Sequence, residues 1–277
     1  MIKIVWYNVL RGFHKKEEDG SLTFEPKRLE ATKKIISKLN PDILFLGEAD
    51  FNPNCKFKGP KTQIVDYGKI FKYKHVYYSK TDKTSRKGEA IFSKFPFKAK
   101  YLSKGENTHI KSIFSINLKK INIDIIHPYP TISEKEKTKW VDKVLSASIK
   151  PHILLGDLNA LSPNDKYKPR NLFKMFFPMQ KDKKLTDKNV KDSLQTLMIR
   201  KVLNAGLIDT FKEKNNQQEI TFPTKKYSPF KDKSVGIRID YIFCSDNFKV
   251  LESGIDKNKL SEIASDHYPI YANLELE

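Results

Sequence analysis

Asp157 and Asn159, a carboxylate and a carboxamide one residue apart, follow directly on the apolar run Ile153, Leu154, Leu155 and Gly156. So short an apolar run ending at Gly reads as a buried strand rather than a helix, and in extended chain the two polar side chains point the same way. Such a pair can orient a hydrolytic water, hold a cation or close an Asx turn. The arrangement recurs along the chain. Asn8 ends the run from Ile2, Glu48 follows Ile43 to Leu46, and His127 follows Ile121 to Ile126; Asp240 sits at the start of the run to Phe243, and Asp266-His267 precede Tyr268 to Leu274. If the last two strands run antiparallel to the other four, all these groups meet at one end of the sheets, over a packed core where sites are built. His127 alone could be a satisfied core histidine and Asp266 alone a cap, but the joint pattern is hard to read as punctuation. Glu89, in the strand entry Gly88 to Ser93, adds one more ionisable group.

The elements that must position these residues alternate. Pro26 suits a first helical position, Leu29, Thr32, Ile36 and Leu39 share one face, and Asn40-Pro41 stops the helix before the Ile43 strand. Ile110 to Leu118, Lys119-Lys120 and Ile121 to Ile126 read as a hairpin. Ser133 with Glu136 is a capping box for a helix burying Trp140, Val144, Leu145 and Ile149, and the Asp157 strand follows, so strand, helix and strand make an α/β crossover. His14 to Thr23 reads as a polar loop. Asp192 with Gln195 is expected to cap a helix carrying Leu194, Leu197, Met198 and Val202, with Gly206 as its stop. Residues 161–191, with Pro163, Pro169 and Pro178, break the rhythm and read as an insertion packing a short helix beside the Asp157 turn. With no tandem repeat and no long linker, residues 1–277 are expected to form a single domain.

The 277 residues carry 52 Lys and Arg against 33 Asp and Glu, a net charge of +19, and 39% hydrophobic residues, enough for a substantial core. That excess favours phosphate-bearing polymers or anionic surfaces, with Lys-rich overall composition as the plain alternative. Basic and aromatic residues interleave from Asn52 to Lys104, where Lys83, Arg86 and Lys87 are candidate phosphate contacts and Phe71, Tyr73, Tyr77 and Tyr78 candidate stacking groups, with Tyr73, Val76 and Tyr78 as ordinary strand positions the alternative. Cys55 and Cys244, the two cysteines, form no metal or disulfide pattern and suit a reducing compartment. The N-terminus lacks a charged leader and apolar core, and no run approaches the roughly 18 apolar residues of a membrane span, so a cytoplasmic protein is expected.

Taken together, Trp6-Tyr7-Asn8, Gly47-Glu48, Gly88-Glu89-Ala90-Ile91-Phe92-Ser93, His127, Gly156-Asp157-Leu158-Asn159, Thr221-Phe222-Pro223, Arg238-Ile239-Asp240-Tyr241 and Ser265-Asp266-His267 resemble the endonuclease/exonuclease/phosphatase superfamily of metal-dependent phosphoesterases. The resemblance implies a mixed α/β, four-layer fold of two mainly antiparallel sheets flanked by helices. It implies Glu48 as main ligand for Mg²⁺ or Mn²⁺, with Asn8 and Asp266 completing the site, as hard cations take oxygen ligands. Asp240 would orient His267, which activates water or stabilises the attacked phosphate, and Asp157 is the rival for aligning the water. Asn159 would hold a phosphate oxygen, and His127, with Glu89 as partner, would be a second proton-transfer group on the leaving side. Gly47 stands where Gln is usual and Tyr7 where Trp is usual. His127 stands where the exonuclease III type has Tyr, which turns the resemblance toward the branch of deoxyribonuclease I, sphingomyelinase and tyrosyl-DNA phosphodiesterase.

The expected activity is therefore Mg²⁺-dependent hydrolysis of nucleic acid, endo- or exo-acting, by in-line attack of water on phosphorus in a monomer. The alternatives are a phospholipid or small-phosphoester hydrolase, which an exposed Leu172 to Met179 segment would favour, and a non-catalytic basic binding module on the same fold.

Overall fold

The computed structural model describes residues 1–50, 67–78, 87–101, 110–118, 120–233 and 235–277, with the backbone alone for Asp50, Lys87, Tyr101 and residues 110–116. In chain order the elements are β1 (Ile2–Asn8), α1 (Leu10–Phe13), β2 (His14–Lys16), β3 (Leu22–Phe24), α2 (Pro26–Leu39), β4 (Ile43–Asp50), α3 (Tyr67–Phe71), β5 (His75–Tyr78), β6 (Lys87–Ser93), β7 (Lys98–Tyr101), β8 (Ile110–Leu118) and β9 (Ile121–Pro128). There follow α4 (Glu134–Ala147), β10 (His152–Asp157), α5 (Pro169–Gln180), α6 (Lys183–Ser193), α7 (Leu197–Asn204), β11 (Ile208–Asp209), α8 (Thr210–Lys214), β12 (Asp240–Cys244), β13 (Phe248–Ile255), α9 (Lys259–Ala264) and β14 (Ile270–Leu276).

Strand periodicity builds the layers. Ile4 and Trp6 of β1, Ile43 and Phe45 of β4, and Ile153 and Leu155 of β10 face a core between two sheets. Their alternate neighbours face outward: Val5, Tyr7, Leu44 and Leu46 meet Leu29, Ile35 and Ile36 of α2, and Leu154 meets Val141 and Val144 of α4 with Met198 and Val202 of α7. Strands buried on both faces need unbroken apolar runs, which is why these were readable. Among the described residues the sheets have the orders β13-β14-β1-β4-β6-β5 and β11-β12-β10-β9-β8-β7. Each has one parallel pair, β1 with β4 and β9 with β10, and is otherwise antiparallel. This is the expected mixed α/β architecture of four layers. β14 runs against β1 and β12 against β10, so the ends of β1, β4, β9 and β10 converge with the starts of β12 and β14.

Several expectations need correction. His14 to Thr23 is a hairpin, β2 with β3, its turn at Gly20 (φ 82°) and its His14 ring packed on Phe24 at 5.3 Å. Its polarity hid two strands too short to show a pattern. Helix α4 is capped by Ser133, whose Oγ accepts from Glu136 N–H at 3.2 Å, but it ends at Ala147 and leaves Ile149 70% exposed. Val144 is buried and Trp140 and Leu145 are half-buried against the core as expected, and the Glu134–Lys137 ion pair and Val141 extend that inward face. Asp192 is the tenth residue of α6 and does not cap α7, whose N-cap is Thr196; Asp192 instead accepts the Glu134 N–H at 2.8 Å. Residues 161–191 hold not one helix but most of the pair α5 and α6. Tyr78 of β5 packs on Phe92 at 6.1 Å as an ordinary strand-face residue does, and Tyr73, two residues before that strand, packs on the same ring at 6.0 Å. Lys56, Lys58, Lys61, Lys83, Arg86 and Cys55 lie outside the described residues, and Lys87 contributes only its place at the start of β6. None of the described helices is long and apolar enough to cross a membrane.

Candidate functional site

Two close backbone approaches set the stage. At Gly156, with φ 146°, a Cβ would lie 2.0 Å from Ile126 O, so β9 and β10 can press together only with Gly before Asp157. At Gly47 a Cβ would lie 2.7 Å from the Trp6 indole, which fills the space a side chain would need. Immediately after Gly47 the pairing of β4 with β6 shifts register, and Glu48 takes φ 56°. This bulge swings the carboxylate out of the sheet and up to the end of β1. There Glu48 Oε2 accepts the Arg11 N–H at 3.3 Å. Asn8 Oδ1 accepts the Leu10 N–H and Asn8 Nδ2 donates to Asp157 Oδ2, both at 3.1 Å.

Leu10, Arg11, Gly12 and Phe13 all have positive φ, from 47° to 68°, an unfavourable strap for side-chain-bearing residues. Arg28, 1% exposed, holds it: its guanidinium donates to the carbonyls of Val9 (2.7 Å), Leu10 (3.0 Å), His14 (3.2 Å) and Ala264 (2.8 Å). Ser265 Oγ donates to Asn8 O at 2.7 Å from the other side. Sequence reasoning missed Arg28, whose only signal was a base beside Leu29 on the helix face turned inward.

The imidazoles and carboxylates form one buried chain. Glu89 Oε1 lies 2.8 Å from His127 Nδ1, and His127 Nε2 lies 3.4 Å from Asp157 Oδ2. The same Oδ2 lies 3.7 Å from His267 Nε2, whose Nδ1 is 2.8 Å from Asp240 Oδ2. Asp240 Oδ1 accepts the Trp6 indole N–H at 2.8 Å, and Thr221 Oγ1 accepts the Asp240 N–H at 3.2 Å. Phe222 packs on the His267 ring at 4.9 Å. Burial alone would lower the His267 pKa, but Asp240 and then Asp157 outweigh it and carry it up to about 10. His267 is therefore an imidazolium near neutral pH. Asp157 Oδ1 also accepts the Asn159 N–H at 3.1 Å, so the Asx turn and the polar chain are built from one carboxylate.

A cleft of about 510 Å³ opens over this end of the sheets, with Glu48, Asp157, Asn159, Asp266 and His267 among its lining, and Phe176, Met179, Leu185 and Lys188 on its helical wall. His127, Glu89 and Asp240, at most 2% exposed, lie beneath it. All eight expected strand-end residues, and Glu89 of β6 with them, are thus gathered at one place. Two donor sets could hold a cation. Asp157, Asp240 and His267 offer atoms within 4.8 Å of one another, but both Asp240 oxygens already accept hydrogen bonds. Asn8, Glu48 and Asp266 are an all-oxygen set, and burial, then Glu48's charge, raise the Asp266 carboxyl pKa. Buried Glu48 and half-buried Asp266 repel each other, and two such carboxylates fit a hard divalent cation even though Glu48 Oε2 and Asn8 Oδ1 also accept backbone N–H bonds.

A model for the Endonuclease/Exonuclease/phosphatase family matches residues 5–267. Among solved structures the chain is similar to an AP endonuclease from Archaeoglobus fulgidus, with 19% identity, a TM-score of 0.67 and 100% of each chain covered. It is similar to a 3′ phosphatase, NExo, from Neisseria bound to a product DNA hairpin, with 17% identity, a TM-score of 0.63, and 99% of this chain and 100% of that one covered. An endonuclease/exonuclease/phosphatase family protein from Leptotrichia buccalis matches with 18% identity and a TM-score of 0.63 over 100% of both chains. These likenesses are of fold. No curated protein sequence matches the chain significantly.

Proposed function

This chain belongs to the endonuclease/exonuclease/phosphatase family, and from that premise we propose that it is a Mg²⁺- or Mn²⁺-dependent phosphodiesterase acting on nucleic acid as a single catalytic domain. The observation that carries the reading is the convergence of two imidazoles, each backed by a carboxylate, on Asp157 beside the oxygen-donor set of Glu48, Asp266 and Asn8. Similarity to a DNA-bound 3′ phosphatase and the net charge of +19 support nucleic acid as substrate.

When bound by Glu48, Asp266 and Asn8, the cation would polarise a phosphoryl oxygen as a Lewis acid. Asp157 aligns the water and takes its proton, since its Oδ2 is aimed by Asn8 Nδ2 and its Oδ1 is fixed by the Asn159 N–H. His267, kept cationic and fixed through Asp240, stabilises negative charge on the attacked phosphate, and the Asn159 amide adds a hydrogen bond. His127 with Glu89 is the second proton-transfer group: buried beside Asp157, it can take up the proton that Asp157 removes from the water, and the leaving oxygen draws its proton from solvent in the cleft. The water oxygen bonds to phosphorus as the opposite ester bond breaks, and the leaving oxygen ends protonated. Lys83, Arg86 and Lys87 are proposed backbone contacts, so neutralising all three should flatten the salt dependence of binding. The His127–Glu89 pair also supports placing the chain in the deoxyribonuclease I-like branch.

The test is a metal-dependent hydrolysis panel with DNA, RNA, abasic DNA, phospholipid and a generic phosphodiester. Turnover of DNA or RNA that EDTA abolishes is the expected result, and activity on phospholipid alone would overturn the substrate assignment. One observation favours that second reading: Phe177, Met179 and Leu185 are 42%, 64% and 47% exposed on the α5–α6 pair, near Lys181, Lys183 and Lys184. An apolar tip among lysines suits an anionic bilayer, and phosphatidylserine vesicles should then recruit the protein and raise turnover.

A further inference from the structure

Lys137 and Glu134 are buried at 2% and 0% exposure on the first turn of α4, away from the polar chain of the site. Their ion pair, 3.3 Å between Lys137 Nζ and Glu134 Oε1, joins segments distant in sequence. Glu134 Oε2 accepts the Met198 N–H in the first turn of α7 at 3.1 Å, and the Glu134 N–H donates to Asp192 at the end of α6 at 2.8 Å. Lys137 Nζ donates to the main-chain carbonyl of Asn159.

That carbonyl belongs to the residue placed above against the phosphate. Asn159 sits in the left-handed region, φ 46°, immediately beyond the strand. Its N–H is held by Asp157 Oδ1 at 3.1 Å and its Nδ2 donates to Pro128 O at 3.0 Å, so the Lys137 contact is a third tether, and it fixes the peptide plane leaving the turn. Stability gives a poor account of this pair. A buried ion pair can be replaced by apolar residues of like volume at little cost, because desolvation cancels much of its attraction. An apolar pair cannot hold a carbonyl. Resting on the functional reading above, we infer that Lys137 is a positioning residue for Asn159, with Glu134 as the counter-charge that keeps the ammonium buried. Through Asp192 the same link ties the turn to the helical wall of the cleft, so the group that contacts phosphate and the wall that contacts the rest of the substrate share one anchor.

Lys137→Met alone strands a buried carboxylate and can fail to fold. The informative variant is Glu134→Gln with Lys137→Met, which removes both charges at similar volume. In hydrolysis of bis(p-nitrophenyl) phosphate with Mg²⁺, this double variant should melt near wild type yet lose about 10²-fold in kcat with KM little changed, the size of effect a small misplacement produces. Lys137→Arg, which keeps charge and donors, should restore most of the rate. In an Asn159→Ala background the paired substitution should cost nothing further, because one tether acts through one residue. Wild-type kcat in the double variant, or the same fractional loss with and without Asn159, would overturn the positioning role. Wild-type turnover by Asn159→Ala alone would instead overturn the assignment of Asn159 to phosphate, and this proposal with it.

Discussion

Trp6 and Asp240, 234 residues apart, meet across the two sheets in a buried 2.8 Å hydrogen bond from the indole N–H to Oδ1. The bond leaves Asp240 Oδ2 directed at His267 Nδ1, so the first strand of one sheet fixes the imidazole borne by another segment through the first residue of β12.

Trp6→Phe keeps most of the ring in the core and deletes the donor. Asp240 Oδ1 is then buried without that partner, at a cost of about 1–3 kcal/mol. The ring void beside Gly47 adds to it. Chemical denaturation should show the loss, and turnover should fall with it because His267 gains freedom. A variant as stable and as active as wild type would mean that the indole N–H positions nothing.

Asp157→Asn separates turn from chemistry. The amide keeps a carbonyl oxygen for the Asn159 N–H, so the Asx turn and the fold should survive. The charge shared by His127, His267 and Asn8 is removed, and loss of a positioned acid or base group lowers rates by about 10² to 10⁴. Steady-state kinetics beside a melting curve gives both halves, and near wild-type turnover would leave Asp157 as a turn residue.

The His267 shift gives a pH dependence of known sign in the metal-free protein. Its folded-state pKa, raised from 6.5 to about 10, exceeds the unfolded value, so the folded state holds the proton more tightly. The stabilisation is complete below about pH 6.5 and lost as pH rises toward 10. With EDTA present, the melting-temperature gap between wild type and His267→Gln should therefore narrow from pH 6 to pH 10. A gap that stays constant would show that the imidazole is not held cationic.

What the sequence made legible follows from the physics of each element. Strands β1, β4, β9 and β10 are buried on both faces and end in polar residues, so Asn8, Glu48, His127 and Asp157 stand out at the close of apolar runs. The bulge that gives Glu48 its φ of 56° arises from mismatch with β6, a partner about 40 residues on. Nothing local to Gly47-Glu48 announces it. Glu134-Lys135-Glu136-Lys137 is the charged first turn of the helix that Ser133 caps, and only the packing of α7 and the Asn159 turn against it makes two of those charges internal. Strand β13, with Phe248 and Val250 inward and Lys249 outward, alternates over too few residues to stand out among neighbouring charges.

Glu48 carries the metal assignment, and its competing role is a carboxylate that only caps the Arg11 N–H. Glu48→Gln keeps the volume and an oxygen for that N–H but deletes the charge a hard cation requires. As a cap, the substitution should leave cation affinity untouched. As a ligand, it should weaken Mg²⁺ or Mn²⁺ binding severely, while relieving the repulsion that raises the Asp266 pKa. The metal-free variant should then melt at or above wild type, and the metal-loaded variant should gain less on adding Mg²⁺, because a ligand stabilises only in proportion to its binding. Calorimetric titration of metal into both proteins, with melting curves with and without Mg²⁺, distinguishes the two roles. Equal affinity in both proteins would remove Glu48 from the metal site, and wild-type hydrolysis that survives exhaustive chelation would remove the metal from the mechanism.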